Sequence, residues 1–150
     1  MLRILLLCWL AVVAAGCSDL TVVAEPPTVT PTPAVAARSC VTPAGVVNIS
    51  FSKTKYPNIR RHYLAAIREG WPKVLTVHRA GADTRRDRLL RGVATRPGMD
   101  RDEYPPAVAR GSFRADVAYV PSSENRSHGS TMGLKLRRYC DGTRFRYVFY

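Results

Sequence analysis

The chain is 150 residues long, which leaves room for one folded domain and excludes a large multidomain enzyme. It carries 23 Lys and Arg against 11 Asp and Glu, a formal net charge of +12, so its natural partner is a polyanion: nucleic acid or an anionic envelope surface. No Cys-x-x-Cys pair or His/Cys cluster is present, which argues against a structural zinc site.

The N-terminus has the pattern of a secretory signal peptide over residues 1–17. One arginine precedes an apolar run, Ile4–Val13, which is too short to span a bilayer comfortably and is followed by small residues. The tetrapeptide AAGC that ends at Cys17 matches a bacterial lipobox, which predicts lipidation of Cys17 and a membrane anchor. The alternative is ordinary cleavage in the same small-residue patch, which would leave Cys17 unmodified.

Residues 18–39 are rich in Pro, Thr, Val and Ala and show neither a helical nor a strand period, so we expect an extended tether. The folded domain is then expected over residues 40–150. Cys40 and Cys140 stand at its two ends, and in an exported protein they are a natural disulfide pair. A bridge across a loop of about 100 residues would contribute about 4–5 kcal/mol in the chain-entropy model. The alternative is two unpaired buried thiols.

The first half of the domain is expected to contain two strands, one helix and a segment that forms a short helix or a turn. The alternating segment 46–51 indicates a strand, and Asn58 is expected to cap a helix that stops at Gly70. A second strand is expected over 73–79, and the very basic segment 82–92 indicates a short helix or turn.

The second half begins with an extended segment at Asp100, because Pro105 and Pro106 exclude a helix there. A strand is expected over 115–121, a helix starting with Ser122 as its cap, and a final strand over 143–150. The predicted order in this part of the chain is therefore an acidic extended segment, a strand and a helix.

Three of the eleven acidic residues in this basic chain, Asp100, Asp102 and Glu103, fall within four positions. Asp102 on the first arm of a β-ribbon and Asn125 near the start of the following helix can converge on one point. Carboxylate and amide oxygens suit Mg²⁺ or Mn²⁺, and such an ion would offset the repulsion among the acids. The alternatives are a solvated loop whose acids pair with arginines, and an Asn125 that bonds the helix backbone. His128 is expected at the surface.

Arginine far outnumbers lysine, and its guanidinium binds phosphate through two parallel contacts. Arginines around a metal would hold a phosphodiester, which is the arrangement of one-metal nuclease chemistry: the cation polarises the phosphate while a base takes a proton from water. The candidates for nucleic-acid contact are Arg85, Arg86, Arg101 and Arg126.

Four blocks carry a family resemblance: the run from YPNIRRHYLAAIREG through RDRLLRG, then RPGMDRDEYPPA, ADVAYVPSSENRSHGS and DGTRFRYVFY. In order and spacing they resemble the NucA/NucB-type secreted deoxyribonucleases from about Phe51 to Tyr150, and DRDEYPPA and SENRSHGS are the most distinctive. The resemblance implies an α+β fold, a small single domain with a ββα-metal (His-Me finger-like) nuclease core. It also implies metal-dependent, sequence-nonspecific cleavage of DNA.

By this resemblance Asp102 stands where related folds have a histidine base, and Asn125 matches the metal-side asparagine. Glu103 belongs to the same motif and is assigned a supporting catalytic or metal role, while Asp100 is a second metal candidate. Two roles stay open for Asp102: it abstracts the proton directly, or it orients a metal-bound water.

We therefore expect a secreted or cell-surface DNA endonuclease that acts as a monomer, has no obligate protein partner and uses Mg²⁺ or Mn²⁺. The alternative is a noncatalytic surface lipoprotein that binds DNA or another polyanion.

Overall fold

The computed structural model describes residues 39–109 and 112–150. The predicted signal peptide, the lipidation of Cys17 and nearly all of the tether lie outside these residues and stay predictions. In the part of the chain that is described, no helix combines the length and apolar character needed to cross a membrane.

The elements follow one another as β1 (Val47–Phe51), α1 (Pro57–Arg68), β2 (Leu75–Thr76), α2 (Ala82–Leu90), β3 (Met99–Tyr104), β4 (Asp116–Pro121), α3 (Ser122–Leu136) and β5 (Arg144–Phe149). One sheet has the order β1-β5-β2, in which β5 runs parallel to β1 and antiparallel to β2. The strands β3 and β4 form a separate antiparallel hairpin. The result is a small mixed α/β domain.

The strand β5 shows why this sequence forms a sheet with one covered face. Side chains alternate along β5: Arg144 and Arg146 are exposed, and Phe145 and Tyr147 are buried. Successive side chains of a strand point to opposite faces of the sheet, which gives this period of two. The inward side chains join Ile49 and Phe51 of β1 in one apolar core. The predicted strands at 46–51 and 143–150 are confirmed in type, with ends shifted by one residue.

The helix α1 begins one residue before its predicted cap. Pro57 occupies the first turn, where its missing N–H costs nothing, and the backbone N–H groups of Asn58 and Ile59 donate to the Glu124 carboxylate at 2.7 and 3.0 Å. The cap is therefore a side chain from α3, and the prediction of Asn58 as the cap was wrong. Ser122 is likewise the first residue of α3 rather than its cap.

The predicted strand over 73–79 shortens to Leu75–Thr76 because the chain then leaves the edge of the sheet. The next two amide groups, those of Val77 and His78, donate to Thr143 and Val108 in neighbouring loops, at 2.9 and 2.7 Å. The segment stays extended without continuing the ladder. The basic segment at 82–92, left open between helix and turn, is the helix α2.

The predicted disulfide between Cys40 and Cys140 is confirmed. Their Cα atoms lie 5.0 Å apart although the residues are 100 positions apart in the chain. Backbone hydrogen bonds on either side, from Val41 to Arg138 and from Cys140 to Val41, hold the same connection. The bridge therefore joins the start of the described chain to the segment between α3 and β5.

The hairpin β3–β4 and the helix α3 form the unit that positions the candidate site. The hairpin pairs Met99 with Pro121 and Tyr104 with Asp116, and α3 starts directly after β4 without a loop. Both α1 and α3 pack against the two strands. The predicted succession of acidic extended segment, strand and helix is confirmed.

Candidate active site

A cleft of about 370 Å³ opens between β3, α3 and the segment after β3. It contains the three clustered acids and the asparagine that the sequence singled out, together with two arginines and a histidine. These lining residues are Arg86, Asp100, Asp102, Glu103, Asn125, Arg126 and His128. The structure thus brings the predicted catalytic and metal residues to one place.

Asp102 is held in the cleft by a histidine from another element. Its side chain is 15% exposed, and its Oδ2 atom lies 2.6 Å from Nδ1 of His62, a residue of α1 whose side chain is only 3% exposed. On the other side of the ring, Nε2 of His62 lies 3.1 Å from Oδ2 of Asp116, at the start of β4. One buried imidazole therefore links two aspartates.

The charge of His62 follows from this geometry. A neutral imidazole has one N–H donor, and an ionised carboxylate can only accept, so the doubly protonated ring is the form that bonds both aspartates. Burial opposes the charged ring, but the hydrogen bond and charge of Asp102, together with those of Asp116, outweigh it and raise the pKa of His62 above its usual value.

Glu103, the residue after Asp102, is buried, and Nη1 of Arg86 lies 3.2 Å from its Oε1 atom. Arg86 is about half exposed, so one end of the pair faces solvent while the carboxylate lies inside. The Glu103 carboxylate thus forms an ion pair with an arginine that also lines the cleft.

Asp100 and Asn125, the two predicted metal residues, are neighbours. Asp100 accepts hydrogen bonds from Ser122 Oγ at 2.8 Å and from Arg126 Nε at 3.0 Å, and Asn125 lies with it in the lining of the cleft. The Arg126 hydrogen bond, followed by that of Ser122, lowers the pKa of Asp100 below its usual value. Asp100 is thus ionised, and an arginine partly neutralises it.

The donor set fits a hard cation bound by few protein ligands. Within residues 39–109 and 112–150, no three His, Cys, Asp or Glu side chains form a group that could hold a metal. Magnesium commonly binds through one or two protein oxygens and completes its shell with waters and substrate phosphates. The carboxylate of Asp100 and the amide oxygen of Asn125, two residues that line the same cleft, meet that requirement in number and type, whereas a metal held by the protein alone would need more ligands.

Two of the four predicted phosphate-binding arginines line the cleft. Arg86 and Arg126 are 49% and 75% exposed and present charge at its mouth.

The structure corrects the prediction for Arg85 and Arg101. Arg85 is 6% exposed and donates to the carbonyls of Ala80, His78 and Ala107. Arg101 donates to those of Leu90 and Val93. Both guanidinium groups are occupied by hydrogen bonds to backbone carbonyls, so they serve the structure of the domain.

His128 is buried rather than at the surface, which corrects the sequence-based expectation. Its ring packs against Phe51, with the ring centroids 4.4 Å apart, and against Tyr56 and Tyr147. Its Nε2 atom is buried and has no hydrogen-bond partner among the described residues. Burial lowers the pKa of His128, so this ring is neutral at neutral pH.

His62 and Asp116 are the site residues that the sequence reasoning missed. They lie 40 and 14 positions from Asp102, and no local motif joins them to it. A signal did exist in α1, where His62 falls on the same helical stripe as the buried residues Ile59 and Ala66. A histidine in an apolar stripe needs a buried partner, and the partner here is the hairpin.

No protein-family model matches the chain. Over 97 residues, 64% of its length, the chain is 39% identical to the protein named DNA-entry nuclease of Bacillus subtilis (strain 168). The aligned part spans 66% of that relative, just under two thirds of its length. On this identity, and on the motif residues gathered in one cleft, the chain belongs to the family of NucA/NucB-type nucleases.

Proposed function

We propose that this protein is a metal-dependent, sequence-nonspecific DNA endonuclease that hydrolyses phosphodiester bonds outside the cytoplasm. The observation that carries the proposal is Asp102, a carboxylate held by a buried imidazole in a cleft that also contains Asn125 and exposed arginines. In this proposal β3, β4 and α3 are the ββα-metal core that the family resemblance implies.

Asp102 acts as the general base. Its Oδ2 atom is bound by His62, while Oδ1 has no hydrogen-bond partner among the described residues. The carboxylate lines the cleft, so Oδ1 is the atom available to accept a proton from an attacking water. An ionised carboxylate is a weak base at neutral pH, which makes its orientation more important than its basicity.

Asn125 and Asp100 would hold a divalent cation, Mg²⁺ or Mn²⁺, on the side of α3. When bound, this cation supplies positive charge to the scissile phosphate and to the oxygen that leaves. Arg86 and Arg126 bind the phosphate backbone from the mouth of the cleft. Contacts to phosphate carry no sequence information, which is why nonspecific cleavage follows from an arginine-lined site.

Further observations support DNA as the substrate and a location outside the cytoplasm. The relative is named a DNA-entry nuclease. The structure has a disulfide between Cys40 and Cys140, a bond that persists in oxidising compartments. With the signal-peptide pattern of residues 1–17, this supports an enzyme that is secreted or anchored at the cell surface through Cys17. We expect it to act as a monomer.

The test is nicking of supercoiled plasmid by the purified full-length protein with Mg²⁺, with Mn²⁺ and with EDTA. Asp102→Asn is compared with Asp141→Asn, an equal change in an aspartate that pairs with Arg79 outside the cleft. We expect metal-dependent nicking that Asp102→Asn abolishes and Asp141→Asn keeps. DNA binding without cleavage under every metal would favour the alternative, a noncatalytic surface protein that binds polyanions.

A further inference from the structure

We propose that His62 and Asp116 are positioning residues of the active site, which hold the Asp102 carboxylate in its catalytic orientation through a hydrogen-bonded aspartate–histidine–aspartate chain with a buried central ring. This inference rests on the proposed nuclease function and assigns to it two residues to which the family resemblance gave no role. The chain joins three elements, since Asp102 lies on β3, His62 on α1 and Asp116 on β4.

The register of the hairpin explains why a positively charged histidine is needed between the two aspartates. Asp102 pairs with Ala118, and Asp116 pairs with Tyr104, so the two carboxylates are diagonal neighbours on one face of β3–β4. Like charges in that arrangement repel each other. His62 reaches both of them from α1, at 2.6 and 3.1 Å, so a single imidazolium neutralises the repulsion and fixes both carboxylates.

His62 acts through Asp102 and does not contact the substrate. Asp102 lines the main cleft, whereas His62 and Asp116 line a second, smaller cleft of about 210 Å³ next to Asn58 and Arg61. The imidazole therefore lies behind the carboxylate as seen from the substrate side. A residue in that place can orient the base but cannot take part in bond making.

The orientation has a defined chemical consequence. A carboxylate on a short side chain can rotate about its Cβ–Cγ bond, and the rotation that it adopts sets the direction of Oδ1. The 2.6 Å charge-assisted contact to Oδ2 selects that rotation, and Asp116 fixes the ring that makes the contact. Loss of this support is expected to lower kcat by about 10- to 100-fold, the usual effect of removing a group that orients an active-site residue.

The experiment compares His62→Ala, His62→Asn and Asp116→Asn with the matched control Asp141→Asn, in the full-length protein. The kcat and KM values are measured on a fluorogenic DNA oligonucleotide, and Tm is measured in parallel. We expect His62→Ala to lower kcat about 10- to 100-fold with KM within about twofold. His62→Asn should restore part of kcat because its amide N–H can donate to Oδ2, and Asp116→Asn should lower kcat without changing KM.

A second measurement separates positioning from simple loss of structure. Two-bond ¹H–¹⁵N spectra at pH 7 should show both ring nitrogens of His62 protonated, with the neutral ring of His128 as an internal reference. In the Asp116→Asn variant, the His62 ring should lose the proton on Nε2 or Nδ1, or should exchange that proton with solvent faster than in the wild type.

The outcomes are distinct. If the wild type cleaves DNA and His62→Ala keeps its kcat, or all variants lose activity only in proportion to Tm with no rescue by His62→Asn, the positioning role is overturned while the nuclease function stands. If the wild type does not cleave DNA, the proposed function fails and the catalytic role of the chain fails with it.

Discussion

Arg126 on α3 donates from Nε to the Asp100 carboxylate on β3 at 3.0 Å, so a residue expected to bind phosphate and a residue expected to bind metal are bonded to each other. The contact lowers the pKa of Asp100 and raises that of Arg126, which is the mark of mutual charge stabilisation. A cation bound to Asp100 and a phosphate bound to Arg126 would replace this one ion pair by two new contacts. If Asp100 binds the cation and Arg126 the phosphate, as proposed, Arg126 competes with the metal in the absence of DNA and assists the phosphate in its presence.

Replacement of Arg126 by Gln should separate these two effects. The competitor of the metal is removed, so the dissociation constant for Mn²⁺ without DNA should fall about two- to fivefold, as expected for an exposed ion pair. The contact with phosphate is also removed, so KM for DNA should rise. The measurements are Mn²⁺ titration by calorimetry and steady-state cleavage. Arg137→Gln, an equal charge change at the end of the same helix, is the control. Unchanged Mn²⁺ affinity in Arg126→Gln would show that Asp100 is not a ligand.

The adjacent arginines 85 and 86 make a matched pair for the role of positive charge. Arg86→Gln should weaken DNA binding uniformly across sequences and reduce the dependence of binding on salt by about one ion, because an exposed phosphate contact is lost. Arg85→Gln removes the same charge but also its bonds to three backbone carbonyls, so it should lower Tm and leave the salt slope nearly unchanged. Fluorescence anisotropy at several salt concentrations gives both slopes. Equal slopes would mean that charge near the cleft acts only at long range.

Much of the site unit could be predicted because its signals are local. Alternation, the prolines after Tyr104 and the direct start of α3 at Ser122 predict a hairpin followed by a helix, and this order alone brings β3 and the first turn of α3 together. The cleft with Asp102 and Asn125 on its walls follows from that local order. The helices α1 and α3 were predicted for the same reason.

The parts that could not be predicted depend on packing between distant segments. The cap of α1 is Glu124, which is 65 and 66 positions away from the N–H groups that it accepts. The partner of Asp102 is His62, which becomes visible only when α1 lies on the hairpin. Arg85 and Arg86 have the same charge and adjacent positions, yet the helix directs one inward to loop carbonyls and the other outward. Residue type cannot distinguish such a pair.

Removal of the disulfide should destabilise the domain without altering the site. Cys40 and Cys140 close a loop of 100 residues, and loss of such a bridge typically costs about 2–5 kcal/mol. The double variant Cys40→Ser/Cys140→Ser should therefore show a lower Tm and unchanged KM at a temperature where it is folded. Cys17→Ser removes a cysteine outside the bridge and serves as the control in the same thermal unfolding series. An unchanged Tm in the double variant would contradict a stabilising bridge.

His128 predicts a specific dependence of stability on pH. Burial among aromatic rings lowers the pKa of the folded-state imidazole, so the unfolded chain binds a proton at this residue more readily than the folded one. Its contribution to stability is therefore full above the usual histidine pKa of about 6.5 and declines as the pH falls below it.

His128→Leu keeps an apolar group in the ring cluster and has no proton to bind. The Tm difference, variant minus wild type, should then grow in favour of the variant from pH 7.5 to pH 5, as measured by thermal unfolding in matched buffers. His78→Leu, at an exposed position, controls for the loss of a histidine. If the His128→Leu difference stayed constant over this range, the imidazole would be free to accept a proton in the folded protein, and its buried neutral state would be wrong.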